Sequence, residues 1–88
     1  VNFYPRQVEQ ALKEIPGVAD EFQIILEERH GMTDVTINVE AQPGVTGHTV
    51  AKHLKEKLGF LPKGDVFPIG ALPRTEGKAK RVIRRTVS

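Results

Sequence analysis

The chain contains no cysteine. That absence excludes a disulfide framework, a thiolate nucleophile and a zinc–sulfur site together. No apolar run approaches the ~18–20 residues that cross a bilayer, and no basic stretch followed by an apolar one opens the chain as a secretory signal does. Internal repeats, low-complexity segments and linker-like breaks in composition are also absent. A cytoplasmic protein is the expectation. The 88 residues are read as a single domain, 1–88, in which roughly two-thirds of the chain's surface can be buried on folding. Apolar content of 39% and charge of 27% lie near the ordinary globular range. The first residue is Val1 rather than Met, so a piece of a longer polypeptide is expected.

Charge is present but unevenly placed. Between Arg74 and Arg85 the chain carries six cationic side chains against one acid, Glu76, whereas residues 1–73 carry 7 Lys or Arg and 10 Asp or Glu. A net +2 therefore divides into a tail of +5 on a body of −3, an electrostatic footprint for an anionic partner. Within the tail, Thr75-Glu76-Gly77-Lys78 is a small turn. Gly77 can take positive φ and bring the backbone close to a ligand, presenting Lys78 at a loop apex. A lysine there is a compact charge on a flexible stem, suited to phosphate or carboxylate.

The rest of the chain alternates between two periods. Residues 1–4 are a short β-prone run ended by Pro5, which suits a first helical position. Val8, Ala11, Leu12 and Ile15 then recur at helical spacing until Pro16-Gly17 stops them. Phe22, Ile24 and Leu26 alternate with polar residues as in a strand; residues 29–34 form a turn; Val35, Ile37 and Val39 alternate again. A second helix places Val50, Ala51, Leu54 and Leu58 inward and ends at Gly59. Lys52, Lys55 and Lys57 lie on its solvated face. Residues 65–69 form a last strand, with Pro68 arguing for an edge or an early end. The order βαββαβ predicts an α+β, ferredoxin-like two-layer sandwich with both helices on one face. Residues 72–88 follow as a basic C-terminal arm, with the apolar pair Val82-Ile83 able to pin it to the body.

Other residues offer weaker chemistry. His48 and His53 are five apart, off one helix face, and no carboxylate completes a metal ligand set. Pro43-Gly44-Val45-Thr46-Gly47 lacks the Gly-Lys-Ser/Thr ending of a phosphate loop. Glu27, Glu28 and Glu40 have no nucleophile or partner base beside them, which argues against general acid–base work. The same topology serves RNA-recognition modules, which stack bases on aromatics of the central strands. Phe3 and Tyr4 could supply one strand's share, but Val35-Thr36-Ile37-Asn38-Val39-Glu40 has no aromatic, and nucleic acid is not the expected partner. A small-ligand regulatory domain remains the other alternative.

Pro73-Arg74-Thr75-Glu76-Gly77-Lys78-Ala79-Lys80-Arg81 resembles the last core motif of the acyl-adenylate-forming ligases, Pro-Arg/Lys-Thr…Gly-Lys, which holds their adenylation lysine. The form Glu-Gly-Lys-Ala-Lys-Arg-Val-Ile looks most like the phenylacetate–coenzyme A ligases. Val1-Asn2-Phe3-Tyr4-Pro5-Arg6-Gln7-Val8-Glu9 is similar to the Asn-x-x-Pro-x-Gln-(Ile/Val)-Glu segment that opens the small C-terminal domain of that family. With Ile15-Pro16-Gly17-Val18, the similarity spans the chain.

The resemblance implies the mobile C-terminal domain of an ATP-dependent aryl-acid CoA ligase, with the large N-terminal adenylation domain and the hinge outside this sequence. In such a ligase a carboxylate attacks the α-phosphorus of ATP, giving acyl-AMP and pyrophosphate, and the thiol of CoA then displaces AMP. Mg2+ is expected with ATP, bound mainly by the large domain. Lys78 is implied as the catalytic lysine, with Lys80 as the runner-up. Arg74, Lys80 and Arg81 are implied as nucleotide or CoA-phosphate contacts, and Val1, Asn2, Phe3 and Tyr4 as the border of the CoA tunnel. Arg84 and Arg85 are read as solvated charges. Alone, the domain is expected to catalyse nothing.

Overall fold

In a computed structural model, residues 4–73 and 82–86 are described. They form α1 (Pro5–Lys13), β1 (Val18–Arg29), β2 (Met32–Ala41), α2 (Gly47–Leu58), β3 (Lys63–Phe67) and β4 (Val82–Thr86). The four strands make one sheet in the order β3-β2-β1-β4, and the two helices cover one of its faces. The α+β two-layer expectation therefore holds.

Helix α1 begins where the sequence predicts. Pro5 occupies its first turn, where a missing N–H costs nothing, and the Gln7 side chain accepts a hydrogen bond from the Tyr4 N–H at 2.9 Å. Its apolar stripe, Val8, Ala11 and Leu12, is buried. Thr46 caps α2 by accepting from the Thr49 N–H at 3.2 Å, and Gly59 closes it with a left-handed φ of 85°.

One apolar cluster joins α1, α2, β1 and β2, with Phe22, Ile24, Val35, Ile37 and Val39 facing Val8, Leu12, Val50 and Leu54. Register explains the shared face: Phe22 stands opposite Val39, Ile24 opposite Ile37, and Leu26 opposite Val35. Alternation then sends Gln23, Ile25, Glu27, Thr36, Asn38 and Glu40 to the far face.

Three readings change. The turn expected over residues 29–34 contracts to His30-Gly31, whose φ values of 52° and 78° suit a tight two-residue hairpin turn, so β1 and β2 run on through Arg29 and Met32. Tyr4 is not in a strand of the sheet; its extended backbone is the N-cap of α1, and residues 1–3 lie outside the described ones. The fourth strand comes instead from the basic arm, which is not merely appended: Val82–Thr86 pairs in parallel with β1. Its β-branched Val82, Ile83 and Thr86 favour a strand. Arg84 and Arg85, which disguised it as a tail, are the charges an edge strand tolerates. Strand β3 lies on the opposite edge, as Pro68 suggested.

Candidate functional site

The strand order determines the route into the basic motif. Strands β3 and β4 occupy opposite edges, so the chain between them must cross the sheet, over about 14 Å for three inter-strand spacings. The helices occupy one face. On the other, the Leu72 N–H donates to Glu40 Oε2 at 2.8 Å. Residues 68–73 therefore return from β3 over the far face and are fastened at Leu72 to β2, a central strand. The 14 residues between Phe67 and Val82 have an extended reach of about 45 Å, so closing the sheet does not require them all.

This attachment is buried. Leu72 is 7% exposed, Asn38 8% and Glu40 0%. Asn38 also donates from Nδ2 to Gln23 Oε1 at 3.2 Å, linking the two central strands. Base-stacking modules present aromatics on that face; here the central strands place Gln23, Ile25, Thr36, Asn38 and Glu40 there, and Leu72 lies on it.

Of the residues singled out in the sequence, Val1, Asn2, Phe3, Arg74, Lys78, Lys80 and Arg81 lie outside the described residues. Tyr4 is described and is 73% exposed. The fold does bring the start of α1 beside β4. Pro5, next to Tyr4, lines a cavity of about 360 Å³ with Ile24, Leu26, Val82, Arg84 and Arg85. Arg84 and Arg85 are exposed, as read, yet they stand at the edge to which the N-terminal segment leads.

Glu40 is the functional candidate that sequence reasoning passed over. Thr36, Asn38 and Glu40 are three alternate polar residues on one strand, and nothing in their spacing distinguishes the fully buried Glu40. Only the return of residues 68–73 over the sheet does so.

The other titratable contact lies between the helices. His53 Nε2 is 2.8 Å from Glu14 Oε1, and Lys57 Nζ is 3.4 Å from the same oxygen. The hydrogen bond from His53 does most to hold the Glu14 carboxyl below its ordinary pKa; desolvation opposes it, and the hydrogen bond from Lys57 and the charges of both bases add to the lowering. His53 is thus engaged with Glu14, and among the described residues no three His, Asp or Glu side chains gather as a metal site.

Comparison with known proteins accounts for this architecture. The family described as the AMP-binding enzyme C-terminal domain matches residues 1–85. A phenylacetate–coenzyme A ligase of Thermus thermophilus is 26% identical over 94% of this chain, and the chain spans 24% of that ligase's length. A domain of phenylacetate–coenzyme A ligase from Bacteroides vulgatus superposes with a TM-score of 0.78 at 26% identity, covering 97% of this chain and 87% of that one. The fold is also that of a 2-hydroxyisobutyryl-CoA ligase solved in a thioesterification state (TM-score 0.81, 22% identity, 94% of this chain and 19% of that one). The same ligase in a postadenylation state gives 0.78 at 24% identity, with 94% and 20% covered. With its four-stranded sheet, two helices and C-terminal basic motif, the chain belongs to the family of AMP-binding enzyme C-terminal domains.

Proposed function

We propose that this domain supplies the adenylation lysine of an ATP-dependent aryl-acid CoA ligase of the phenylacetate type. The observation that carries the reading is the placement of the Pro-Arg-Thr-Glu-Gly-Lys motif. It follows directly on a residue fastened to a central strand and precedes a strand of the same sheet, in a connection longer than sheet closure needs.

In the first half-reaction a substrate carboxylate oxygen bonds to the α-phosphorus of ATP and the bond to pyrophosphate breaks. Lys78 stabilises the negative charge that builds between carboxylate and phosphate. A fixed cation at a dehydrated site is worth about 3–4 kcal/mol, or ~10²–10³ in rate. Arg74, Lys80 and Arg81 hold phosphate groups of the nucleotide or of CoA. Mg2+ would accompany ATP, held mainly by the phosphates and the large domain. In the second half-reaction the CoA thiol attacks the acyl carbonyl, its proton is lost, and AMP leaves.

The domain turns between the two halves, withdrawing Lys78 and bringing Val1, Asn2, Phe3 and Tyr4 to the CoA tunnel. Its fold is similarly like that of a relative captured in two states, with TM-scores of 0.81 and 0.78, which supports movement as one body. The exposure of Tyr4 and the cavity that its neighbour Pro5 shares with Arg84 and Arg85 favour a CoA contact there. Its partner is its own N-terminal adenylation domain, its site of action the cytoplasm, and the isolated domain is inactive.

Lys78→Ala in the full-length ligase tests this. Pyrophosphate-releasing adenylation should fall ~10²-fold or more, while CoA attack on pre-made acyl-adenylate stays within a few-fold. Lys80→Ala removes a phosphate contact and should weaken nucleotide or CoA binding without the selective defect in adenylation. Equal loss in both half-reactions would overturn the assigned role, and a selective defect in Lys80→Ala alone would move it by two residues.

A further inference from the structure

Burying an ionisable carboxylate is unfavourable unless hydrogen bonds compensate. Glu40 nevertheless sits at 0% exposure on β2's far face, beside the strand's last residue, Ala41, and Thr36 and Asn38 on the same face show that uncharged polar side chains also fit there. One partner it has there is the backbone of another part of the chain, the Leu72 N–H at 2.8 Å. A hydrogen bond of that length is well formed, and losing it would leave a buried N–H without this partner.

Its location gives the contact a consequence beyond packing. Leu72 is followed by Pro73, which fixes its own φ and restricts Leu72 to an extended backbone. Held at its N–H by Glu40 and stiffened by Pro73, this pair forms a post from which the motif starts. Lys78 is six residues further on. In a reaction that depends on placing one ammonium group between two anions, a displacement of about 1 Å can cost ~10² in rate.

We propose that Glu40 is a positioning residue for the adenylation half-reaction: it anchors Leu72 to the sheet and thereby sets where the lysine-bearing segment leaves it. The inference rests on Lys78 being the adenylation lysine. Glu40 acts by holding the segment, not by touching a reactant.

The test uses the full-length ligase and three substitutions. Glu40→Gln keeps an acceptor oxygen at the same distance, Glu40→Asp withdraws it by one methylene, and Glu40→Ala removes it. Adenylation kcat should fall about tenfold in Glu40→Ala and Glu40→Asp, with KM for acid and ATP within about twofold and CoA attack on pre-made acyl-adenylate unchanged. Glu40→Gln should restore the rate to within a few-fold, and in a Lys78→Ala background Glu40→Ala should add no further loss, since the two act as a unit. Should Glu40→Ala fail to fold, Glu40→Asp against Glu40→Gln makes the same comparison. Equal loss in both half-reactions, a Gln variant as slow as the Ala or Asp one, or an undiminished loss without Lys78 would each overturn the assignment. A slow Lys78→Ala beside a normal Glu40→Ala would defeat this inference alone; a normal Lys78→Ala would defeat the reading on which it rests.

Discussion

At Gly47 a single added methyl group would meet the backbone carbonyl oxygen of Gly64, and a Cβ at Gly64 would lie 2.6 Å from the Gly47 oxygen. The start of α2 and strand β3 therefore touch backbone to backbone, and neither side can yield by turning a side chain. Gly47→Ala is expected to destabilise the domain by about 1–3 kcal/mol, the usual cost of overpacking. Urea unfolding would show this as a lower midpoint with an unchanged slope; an unshifted midpoint would mean that helix and strand stand farther apart. In the sequence Gly47 is one more glycine at the end of a loop. Its partner lies 17 residues away, and a contact between two residues without side chains leaves no pattern to read.

The elements show how neighbouring pieces are tied. Glu14 ends α1, and His53 and Lys57 stand one turn apart on α2, so their contacts fasten the two helices on the sheet. Because the Glu14 carboxyl titrates below its ordinary value, its contribution is present above the ordinary carboxylate range and is lost as pH falls through the lowered value. Glu14→Gln should therefore melt below the parent at neutral pH, and the gap should close on acidification past the range near 4.5. Thermal melts of both proteins across that range check the sign; a gap that widened in acid would contradict it. The apolar stripe of α1 was legible in sequence because it repeats locally. The tie between Glu14 and His53 was not, since their 39-residue separation becomes a contact only when both helices lie on one face.

For the molecule as a whole, one apolar cluster spans both helices and the two central strands, so no part of the core can be lost independently. The 88-residue chain should unfold in one transition, with calorimetric and van't Hoff enthalpies in agreement. A broad, non-cooperative melt would show that the core depends on the rest of a ligase. The same folded piece, given aryl acid, ATP and CoA, should form neither acyl-adenylate nor thioester, because a lysine offered without an opposing nucleotide pocket has nothing to stabilise. Product formation above a Lys78→Ala control would refute that expectation.

Sequence by itself determined the two helices, the paired central strands, the side chains of the core and the family. Each rests on residues close in the chain: apolar positions at helical or strand spacing, Pro5 and Gly59 at helix ends, the Pro-Arg-Thr-Glu-Gly-Lys motif. Tertiary structure alone decided that Val82–Thr86 closes the sheet beside β1, that β3 and β4 stand on opposite edges, and that residues 68–73 return over the far face, where Leu72 meets the buried Glu40. The reason is physical. Alternation tells which side of a strand a residue faces but not which strand lies alongside or what returns to cover that side, and both are settled by pairings between segments far apart in the chain.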